Sequence, residues 1–558
     1  MSESKRIVIV GGVAGGASAA ARARRVSESA RIVLFERGPH VSFANCGLPY
    51  HIGGDIPDRR KLLVQTPESL RARFNLDVRV NAEVLSIDRT AKEVLVRERR
   101  TGREYREPYD ALVLSPGAEP VRLPVPGADD PRVLTLRNLE DMDAILRAAD
   151  DATIAHAVVV GAGYIGLEMA EAFEGRGLKV TVVERLPQVL SVADPEMVFP
   201  LQEELLRNKV VLKLNASAKA FQPAGEGLDV LLDDGSTLHC GLAVVAVGVK
   251  PETRLAWEAG LELGATGGIR VDDRMRTSDP SIWAVGDAVE VRDFVTQTPA
   301  LIPLAGPANR QGRLAADAIF GRPGRYRDTQ GTAVVKVFDQ TFAMTGASEK
   351  ALTRAGRPWR KVYVHAADHA TYYPGAKAIT LKLLFDPADG SILGAQAVGA
   401  AGVDKRMDVL AVALRARLTV YDLEELELSY APPYGSAKDP VNMAGFVAAN
   451  VLRGDATTWE LEELATPGEA LLLDVRMPVE FAQGTIPGAV NLPVDDLRER
   501  LAELPKDREL RVFCQVGLRG YVACRMLTQL GFRCRNLSGG YRVYSLWKGA
   551  GLEQGRPA

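Results

Sequence analysis

The chain has 558 residues, too many for one hydrophobic core, so about three to five domains are expected. Its 69 basic and 71 acidic residues give a formal net charge of -2, and this balance indicates no nucleic-acid partner. Five cysteines are too few for a disulfide framework, and no stretch is long and apolar enough for a membrane span, so we predict a cytoplasmic protein without a membrane partner.

The N-terminal segment has the pattern of a dinucleotide-binding fold. A strand is predicted over residues 6–10, a helix up to Arg25, and a second strand over residues 31–35 that ends on Glu36. The turn before the helix carries Gly11, Gly12, Gly15 and Gly16. Such a turn lets the backbone and a helix N-terminus approach a pyrophosphate, and the acidic residue can accept hydrogen bonds from a ribose. Glycine turns also have purely structural uses, and this run departs from the strict Gly-x-Gly-x-x-Gly pattern.

Cys46 follows this unit, in the run Val41-Ser-Phe-Ala-Asn-Cys-Gly-Leu-Pro-Tyr50. No second cysteine stands within a few residues of it, and the residue five positions further on is His51. A thiol without a partner can cycle only by bonding an external sulfur or oxygen, as a mixed disulfide, persulfide or sulfenic acid. We expect Cys46 to begin a helix, whose dipole would favour the thiolate. A buried packing role is the alternative.

The same pattern returns further along the chain. Strands are predicted over residues 157–160 and 179–183, with a helix through Gly175 between them and Glu184 at the end of the second strand. The turn before this helix carries Gly161, Gly163 and Gly166 in the strict spacing. Two correctly framed fingerprints in one chain predict two nucleotide-binding folds.

The remaining chain divides into three patterns. The segment Thr277–Asp287 has a short apolar strand that runs into Gly-Asp, and a helix-like stretch over 309–320 suggests a return to the first nucleotide fold. Strands are then predicted over 334–338, 379–385 and 392–398, with a hairpin turn at Asp389-Gly390, followed by helices over 404–417 and 439–452. Residues 454–459 are predicted as a linker, and a small α/β pattern begins at Leu471.

Over about residues 5 to 450 these motifs resemble the pyridine nucleotide-disulfide reductase superfamily, and in particular its single-cysteine branch of coenzyme A-disulfide reductases, NADH oxidases and NADH peroxidases. The resemblance implies an α/β protein with two Rossmann-like nucleotide-binding domains and an α+β dimerisation domain, acting as a homodimer. The implied bounds are 1–120 and 265–325 for the FAD-binding domain, 121–264 for the NAD(P)H-binding domain and 326–453 for the dimerisation domain.

By this resemblance the first glycine turn, Glu36 and Asp287 bind FAD, while Gly161, Gly163, Gly166 and Glu184 bind NADH or NADPH. The carboxylate of Glu184 would repel a 2'-phosphate and favours NADH, whereas Arg185 beside it could accommodate that phosphate. The choice between the two nicotinamides stays open.

Within the branch, the residues favour the disulfide reductases. The oxidases and peroxidases carry a histidine inside the first glycine turn, and the matching position is Ala14. The coenzyme A-disulfide reductase motifs are present instead, as Ser-Phe-x-Asn-Cys-Gly-Leu-Pro-Tyr at 42–50, Tyr-Tyr-Pro-Gly at 372–375 and Tyr-Ala-Pro-Pro-Tyr at 430–434. The resemblance implies that Tyr372 and Tyr430, supplied by the partner subunit, hydrogen-bond near the active sulfur. Tyrosines that only cap a dimer core are the alternative.

A site for coenzyme A needs cations for the phosphates. Arg22 and Arg25 lie four and seven residues after Ser18, so the three share one face of the first predicted helix. The resemblance places Ser18, Arg22, Ser42 and Asn45 in the substrate site, with Arg71, Arg73 and Lys438 as further candidates for phosphate contacts. For the last three, plain solvated charge is the alternative.

The C-terminal part resembles a rhodanese domain, with implied bounds 460–553 and an α/β fold. The motifs begin at Leu471, Ile486, Phe513 and Leu537. Cys514 and Arg519 have the Cys-x-x-Gly-x-Arg spacing, in which backbone N–H groups surround the sulfur and can hold an anionic persulfide. Thr485 replaces the histidine of many relatives, which we expect to affect the turn more than catalysis. Cys524 and Cys534 fall outside this loop and are predicted to be packing residues.

The sequence thus predicts an FAD-dependent NAD(P)H reductase of coenzyme A disulfide, coenzyme A persulfide or polysulfide that works through Cys46, with Cys514 handling sulfane sulfur. The runner-up is an NADH oxidase or peroxidase that uses a Cys46 sulfenic acid. A third hypothesis is a flavin-bound redox sensor or sulfur-carrier scaffold without turnover. No pattern in the sequence indicates a metal site.

Overall fold

The computed structural model describes residues 4–466 and 468–554. The chain forms two compact units. The first unit consists of two segments, the chain up to Arg185 and Lys209–Gly331. The second unit consists of Leu186–Asn208 and the chain from Thr332 onward. Among the described residues, no helix combines the length and the apolar character needed to cross a bilayer.

Two parallel five-stranded sheets dominate the first unit. In the first sheet, Val8 and Val10 face one buried cluster while Ile7 and Ile9 face another, so the sheet is covered on both sides and its strands are apolar throughout. Its spatial order is Ile282–Ala284, Ala111–Leu114, Arg6–Val10, Arg31–Glu36, Asp77–Val80. The order of the second sheet is Val211–Leu214, Lys179–Glu184, His156–Val160, Leu242–Val245, Val133–Leu134.

Smaller sheets and seven α-helices complete the described part of the first unit. The three-stranded antiparallel sheets are Ala82–Asp88, Glu93–Glu98, Glu104–Pro108 and Ala218–Ala224, Gly227–Leu232, Thr237–Cys240. Shorter strands pair as Ile269–Arg270, Val289–Arg292, Pro299–Ala300 and as Val249–Pro251 with Ala118–Pro120. The helices are Ala14–Val26, Leu48–Gly53, Pro67–Phe74, Leu139–Ala149, Tyr164–Gly175, Arg254–Glu258 and Ala305–Ile319.

The second unit contains one antiparallel and one parallel five-stranded sheet. The antiparallel order is Ala333–Val337, Gln340–Gly346, Ile392–Gly399, Ala378–Phe385, Arg360–Ala367. The parallel order is Thr458–Trp459, Cys534–Leu537, Leu510–Phe513, Leu471–Asp474, Val490–Asn491. The helices are Pro195–Arg207, Glu349–Arg354, Val403–Ala416, Val420–Glu425, Pro440–Arg453, Pro478–Ala482, Leu518–Gln529 and Gly540–Gly549.

The end of the predicted linker belongs to the parallel sheet. Thr458 and Trp459 pair with Asn536 and Leu537, and the Trp459 side chain is fully buried. Its indole Nε1 donates to the carbonyl of Val512 at 3.2 Å. The linker prediction is therefore wrong for these two residues, because a large apolar side chain completes the sheet's core.

Candidate active site

The first glycine turn connects strand Arg6–Val10 to helix Ala14–Val26 with almost no room for side chains. A Cβ on Gly11, which has φ +96°, would lie 2.0 Å from the carbonyl oxygen of Ser115. A Cβ on Gly16 would lie 1.9 Å from the carbonyl oxygen of Gly11. The Glu36 carboxylate accepts from the backbone N–H of Gly12 at 2.9 Å, so the structure places this acidic group at the turn.

The second glycine turn repeats this geometry. A Cβ on Gly161 would lie 2.4 Å from the carbonyl oxygen of Ala246, whereas one on Gly163 would meet no described atom within 4 Å. The Glu184 carboxylate accepts from the N–H of Ala162 at 2.8 Å. The first turns of the two following helices carry no acidic residue, so both helix N-termini can face a pyrophosphate.

Cys46 lies in a short 3-10 turn, Asn45–Gly47, and is exposed, so it does not fill a core. Desolvation raises the pKa of its thiol, and the carboxylates of Glu168 and Asp287 raise it further. The α-helix begins only at Leu48, after the cysteine. The prediction that a helix begins at Cys46 is met to within two residues, since the 3-10 turn leads directly into the α-helix. The pKa of the thiol is raised all the same, because desolvation and the two carboxylates outweigh the lowering effect of the backbone hydrogen bond.

Glu168 and Tyr50 are site residues that sequence reasoning missed. The Tyr50 hydroxyl donates to Glu168 at 3.1 Å, and burial raises the pKa of Glu168 to about 7. Tyr50 belongs to helix Leu48–Gly53 beside Cys46, and Glu168 to the helix of the second glycine turn. The available signal was an acidic residue among the apolar positions of helix Tyr164–Gly175.

Replacing Glu168 with glutamine should lower the pKa of the Cys46 thiol, because a carboxylate that opposes thiolate formation is removed. The rate of Cys46 alkylation against pH, read by peptide mapping, measures this shift. Glu174→Gln, on the same helix, is the matched control, and it should not change the dependence of the Cys46 alkylation rate on pH. An unchanged profile in Glu168→Gln would contradict the assigned electrostatic contact.

The substitution should also change how stability depends on pH. Glu168 binds its proton more tightly in the folded chain than in the unfolded chain, since its pKa is about 7 instead of 4.5. Folding free energy is therefore lost as pH rises from about 4.5 to about 7. Glu168→Gln should gain stability relative to the native chain at pH 8 and not at pH 4.

The predicted substrate residues Ser18, Arg22, Arg25, Arg71 and Arg73 lie on two helices of the first unit. The first three belong to helix Ala14–Val26. Ser18 donates to Asn309 Oδ1 at 2.5 Å, and Arg22 forms an ion pair with Asp317 at 2.8 Å. Arg25 is exposed at the end of the same helix, with Nε donating to the carbonyl of Ala21 at 3.1 Å. Arg71 and Arg73 are exposed in the last turn of helix Pro67–Phe74.

Ser42 connects the Cys46 segment to the first glycine turn. Its N–H donates to the carbonyl of Gly12 at 2.7 Å, and its carbonyl accepts from Val64 at 3.0 Å. Its φ of +48° is in the left-handed region, which is costly for a residue with a Cβ. This backbone conformation turns the chain toward Asn45 and Cys46.

The second unit brings the two predicted tyrosines together. The hydroxyls of Tyr372 and Tyr430 are 2.5 Å apart, and this hydrogen bond raises the pKa of Tyr372. Their side chains are 74% and 48% exposed, so they are available to groups outside this unit. Lys438 is also exposed in this unit.

Cys514 lies at the loop between strand Leu510–Phe513 and helix Leu518–Gln529, and its side chain is fully buried. Its carbonyl accepts from the N–H of Tyr541 at 2.7 Å. A Cβ on Gly540 would lie 2.5 Å from that carbonyl oxygen, so glycine is required there. The Arg519 guanidinium lies close enough to Cys514 for the two groups to interact electrostatically. The structure therefore brings the predicted cation to the predicted sulfur.

Glu480 is a further site residue to which sequence reasoning gave no role. Both its carboxylate oxygens accept from Arg519 at 2.7 Å, and these bonds lower the pKa of Glu480 to about 2. Thr485 donates to Asp474 at 2.8 Å, and Asp474 is ion-paired with the buried Arg476. Thr485 is thus hydrogen-bonded within the turn beside this loop.

Two glycine turns at helix N-termini and an exposed thiol define a class of protein, the thiol-dependent oxidoreductases that use two dinucleotides. Residues 5–312 match the family described as pyridine nucleotide-disulphide oxidoreductase, 332–439 match its dimerisation domain, and 457–546 match the rhodanese-like domain. The chain belongs to the pyridine nucleotide-disulphide oxidoreductase family, which uses FAD and NAD(P)H. The predicted fold class is confirmed.

Three relatives illustrate the likeness. A coenzyme A disulfide reductase of Staphylococcus aureus (strain JH9) is 36% identical over 444 residues, which cover 79% of this chain and 99% of the relative. The crystal structure of reduced Bacillus anthracis CoADR-RHD has 48% identity and a TM-score of 0.95, with 97% of this chain and 98% of that chain covered. A NAD-dependent persulfide reductase from A. fulgidus has 36% identity and a TM-score of 0.90, with coverage of 97% and 100%.

Proposed function

We propose that this protein is an FAD-dependent NAD(P)H reductase of coenzyme A disulfide, coenzyme A persulfide or polysulfide. Cys46 is its redox cysteine, and Cys514 handles sulfane sulfur. The observation that carries the proposal is the exposed Cys46 thiol without a second cysteine in its segment. Relatives that are named for coenzyme A disulfide and for persulfide support this substrate class.

The chemistry starts when the Cys46 thiolate attacks the sulfur-sulfur bond of the substrate. One substrate sulfur bonds to Cys46, and the other leaves as a thiolate or as sulfide. When bound, the flavin would supply an electron pair that originates from the nicotinamide. Reduction of the mixed disulfide to two thiols would take that electron pair together with two protons. Glu168, with a pKa of about 7, can hold a proton close to Cys46 at neutral pH.

The proposed substrate site uses the cations and polar groups of the first unit. Ser18, Arg22, Arg25, Ser42 and Asn45 would contact coenzyme A, with Arg71 or Arg73 near its phosphates. Arg22 already pairs with Asp317, so a phosphate there would compete with that carboxylate. Arg25, which is exposed, is the better placed cation of this helix.

We also propose that the protein is a homodimer in the reducing cytoplasm, without a nucleic-acid partner. In the dimer, Tyr372, Tyr430 and Lys438 would complete the Cys46 site of the partner subunit. The domain bounds stay as predicted, at 1–120 with 265–325, 121–264, 326–453 and 460–553. The match to a dimerisation domain supports the assembly.

Removing the hydroxyl of Tyr430 should lower kcat with coenzyme A disulfide about 10²-fold or more, because a positioned acid for the leaving sulfur is lost. Tyr430→Phe and Tyr372→Phe each break the 2.5 Å pair, and Tyr421→Phe is a matched control. Mixing Tyr430→Phe subunits with Cys46→Ser subunits should restore part of the activity if the site is shared between subunits. Normal turnover in both tyrosine variants would rule out their role.

One assay separates the proposal from its rival. Purified protein is given coenzyme A disulfide, coenzyme A persulfide, glutathione persulfide, polysulfide or oxygen with NADH, and kcat/KM is compared. We expect the highest efficiency with a coenzyme A sulfur substrate. If oxygen or peroxide is turned over as efficiently as the sulfur substrates, the oxidase or peroxidase hypothesis is favoured. Ala14 stands where those enzymes carry a histidine. A single flavin reduction without turnover on any substrate would indicate the redox sensor.

A further inference from the structure

Cys524 and Cys534 lie in contact with each other beside the Cys514 loop. The Cys534 thiol donates to the carbonyl oxygen of Cys524 at 3.4 Å, and the two thiols are close enough for each to shift the pKa of the other. Thr528 Oγ1 lies 3.2 Å from the same sulfur. The sequence predicts packing roles for both cysteines, and the structure adds polar contacts of the Cys534 sulfur with a hydroxyl and a carbonyl group.

The fold explains how the two cysteines meet. Helix Leu518–Gln529 carries Cys524, and Thr528 follows one turn later on the same face. Gly531, at φ +82°, reverses the chain after this helix, and strand Cys534–Leu537 then begins against it. This short connection places Cys534, at the start of the strand, against the helix face that carries Cys524 and Thr528.

The two thiols differ in burial and in charge. Cys524 is 6% exposed and belongs to the core that also contains Cys514, whereas Cys534 is only partly buried. Hydrogen bonds from Cys524 and Thr528 lower the pKa of Cys534 to about 7, against an opposing effect of burial. The hydrogen bond to Cys534 and burial raise the pKa of Cys524. One partner is thus an accessible nucleophile, and the other is a protected thiol.

We propose that Cys524 and Cys534 form a redox-active dithiol, in which hydroperoxides oxidise Cys534 and Cys524 closes the disulfide, so that Cys514 is spared. Nothing in the reductase or the sulfur-transfer chemistry requires this pair. Cys514 is fully buried, and the partly exposed Cys534 meets an oxidant from solution first.

The chemistry balances with hydrogen peroxide as the oxidant. The Cys534 thiolate attacks one peroxide oxygen, the O–O bond breaks, and the sulfur becomes a sulfenic acid while hydroxide leaves. The Cys524 sulfur then attacks the Cys534 sulfur, and the S–O bond breaks. The departing oxygen takes the Cys524 proton and leaves as water. Two thiols and one peroxide give one disulfide and two waters.

The test uses the full-length holoenzyme. It is exposed to hydrogen peroxide, its free thiols are blocked with N-ethylmaleimide after denaturation, and its peptides are mapped without reduction. We expect a cross-linked pair that contains Cys524 and Cys534, two hydrogens lighter than the separate peptides. Dithiothreitol should remove it. Cys514 should still be blocked by N-ethylmaleimide, which shows that it stayed reduced.

Two variants keep the test decisive. Cys534→Ser, at the partly exposed position, should abolish the cross-link and leave Cys524 reduced. Cys524→Ala should leave a Cys534 sulfenic acid that dimedone traps. A disulfide between Cys514 and Cys524, or a Cys534 that stays a free thiol under peroxide, would overturn the proposal.

A third readout rests on the proposed function of Cys514. Peroxide-treated native protein should retain sulfur transfer, whereas Cys534→Ser should lose it under the same treatment. If Cys514→Ser transfers sulfur as well as the native chain, the proposed role of Cys514 fails. Peptide mapping of the Cys524–Cys534 cross-link would still test the dithiol proposal independently of the role of Cys514.

Discussion

Cys46→Ser should reduce NADH-dependent turnover of coenzyme A disulfide or persulfide about 10³-fold or more, because the nucleophile of the proposed reaction is removed. A serine hydroxyl is ionised far less readily than a thiol and cannot form a disulfide. Sulfide release from a persulfide, measured under anaerobic conditions, gives the clearest readout. The variant should still bind both dinucleotides, since neither glycine turn includes residue 46.

The matched control is Cys240→Ser, at a buried cysteine of the same unit. It removes a thiol of the same kind outside the glycine turns and should leave kcat unchanged once stability is checked. The flavin of Cys46→Ser should still be reduced by one equivalent of NADH. If Cys46→Ser releases sulfide at the native rate, the proposed mechanism is wrong.

Lys382→Met should destabilise the second unit by about 3 to 5 kcal/mol, because the buried carboxylates of Asp194 and Glu196 lose the ammonium that pairs with them. Glu349 keeps its ion pair with Lys361. Lys382 is fully buried, and its Nζ lies 2.7 Å from Asp194 and 2.6 Å from Glu349. It also pairs with Glu196. One oxygen from each of the three carboxylates lies within 4.8 Å of the others, so the ammonium offsets strong mutual repulsion.

The groups around Lys382 support the expected loss of stability in Lys382→Met. Burial opposes the charge of Lys382, but the three carboxylates outweigh it and hold the pKa of this lysine well above its usual value. Tyr363 donates to Glu196 at 2.8 Å, and Gln396 donates to Asp194 at 2.7 Å. These contacts tie helix Pro195–Arg207 and the residues just before it to the antiparallel sheet.

Urea denaturation of the native chain and of Lys382→Met measures the difference, with Lys548→Met as a control at an exposed lysine. The control should stay within about 0.5 kcal/mol of the native value. Adding Asp194→Asn and Glu196→Gln to Lys382→Met should recover part of the loss, since the two unpaired charges disappear. Equal midpoints for the native chain and Lys382→Met would refute the role of this cluster.

Local patterns were sufficient for the parts of the fold with strong signals. The strand predicted over 6–10 is observed as Arg6–Val10, because an apolar run ends at a glycine turn. The helix predicted over 439–452 is observed as Pro440–Arg453, with Asp439 capping it through the N–H of Val441. The glycine spacing also located both strand-to-helix turns.

Local sequence patterns could not predict the contacts between residues that are far apart in the sequence. An acidic residue in an apolar helix marks Glu168 as unusual. Tyr50 is 118 positions away, however, so neither segment alone indicates their hydrogen bond or the raised pKa of Cys46. Trp459 sits in a polar segment, and its burial depends on a strand that starts at Cys534. The same strand brings Cys534 to Cys524, which sequence spacing alone does not reveal.

The central claim is that substrate sulfur becomes covalently attached to Cys46 during turnover. Protein mixed with coenzyme A disulfide and limiting NADH can be quenched in acid, digested without reduction and examined by mass spectrometry. The account predicts a coenzyme A adduct on the peptide that contains Cys46, removed by excess NADH and absent from Cys46→Ser. Steady turnover with Cys46 always unmodified, or with the adduct on another cysteine, would contradict it.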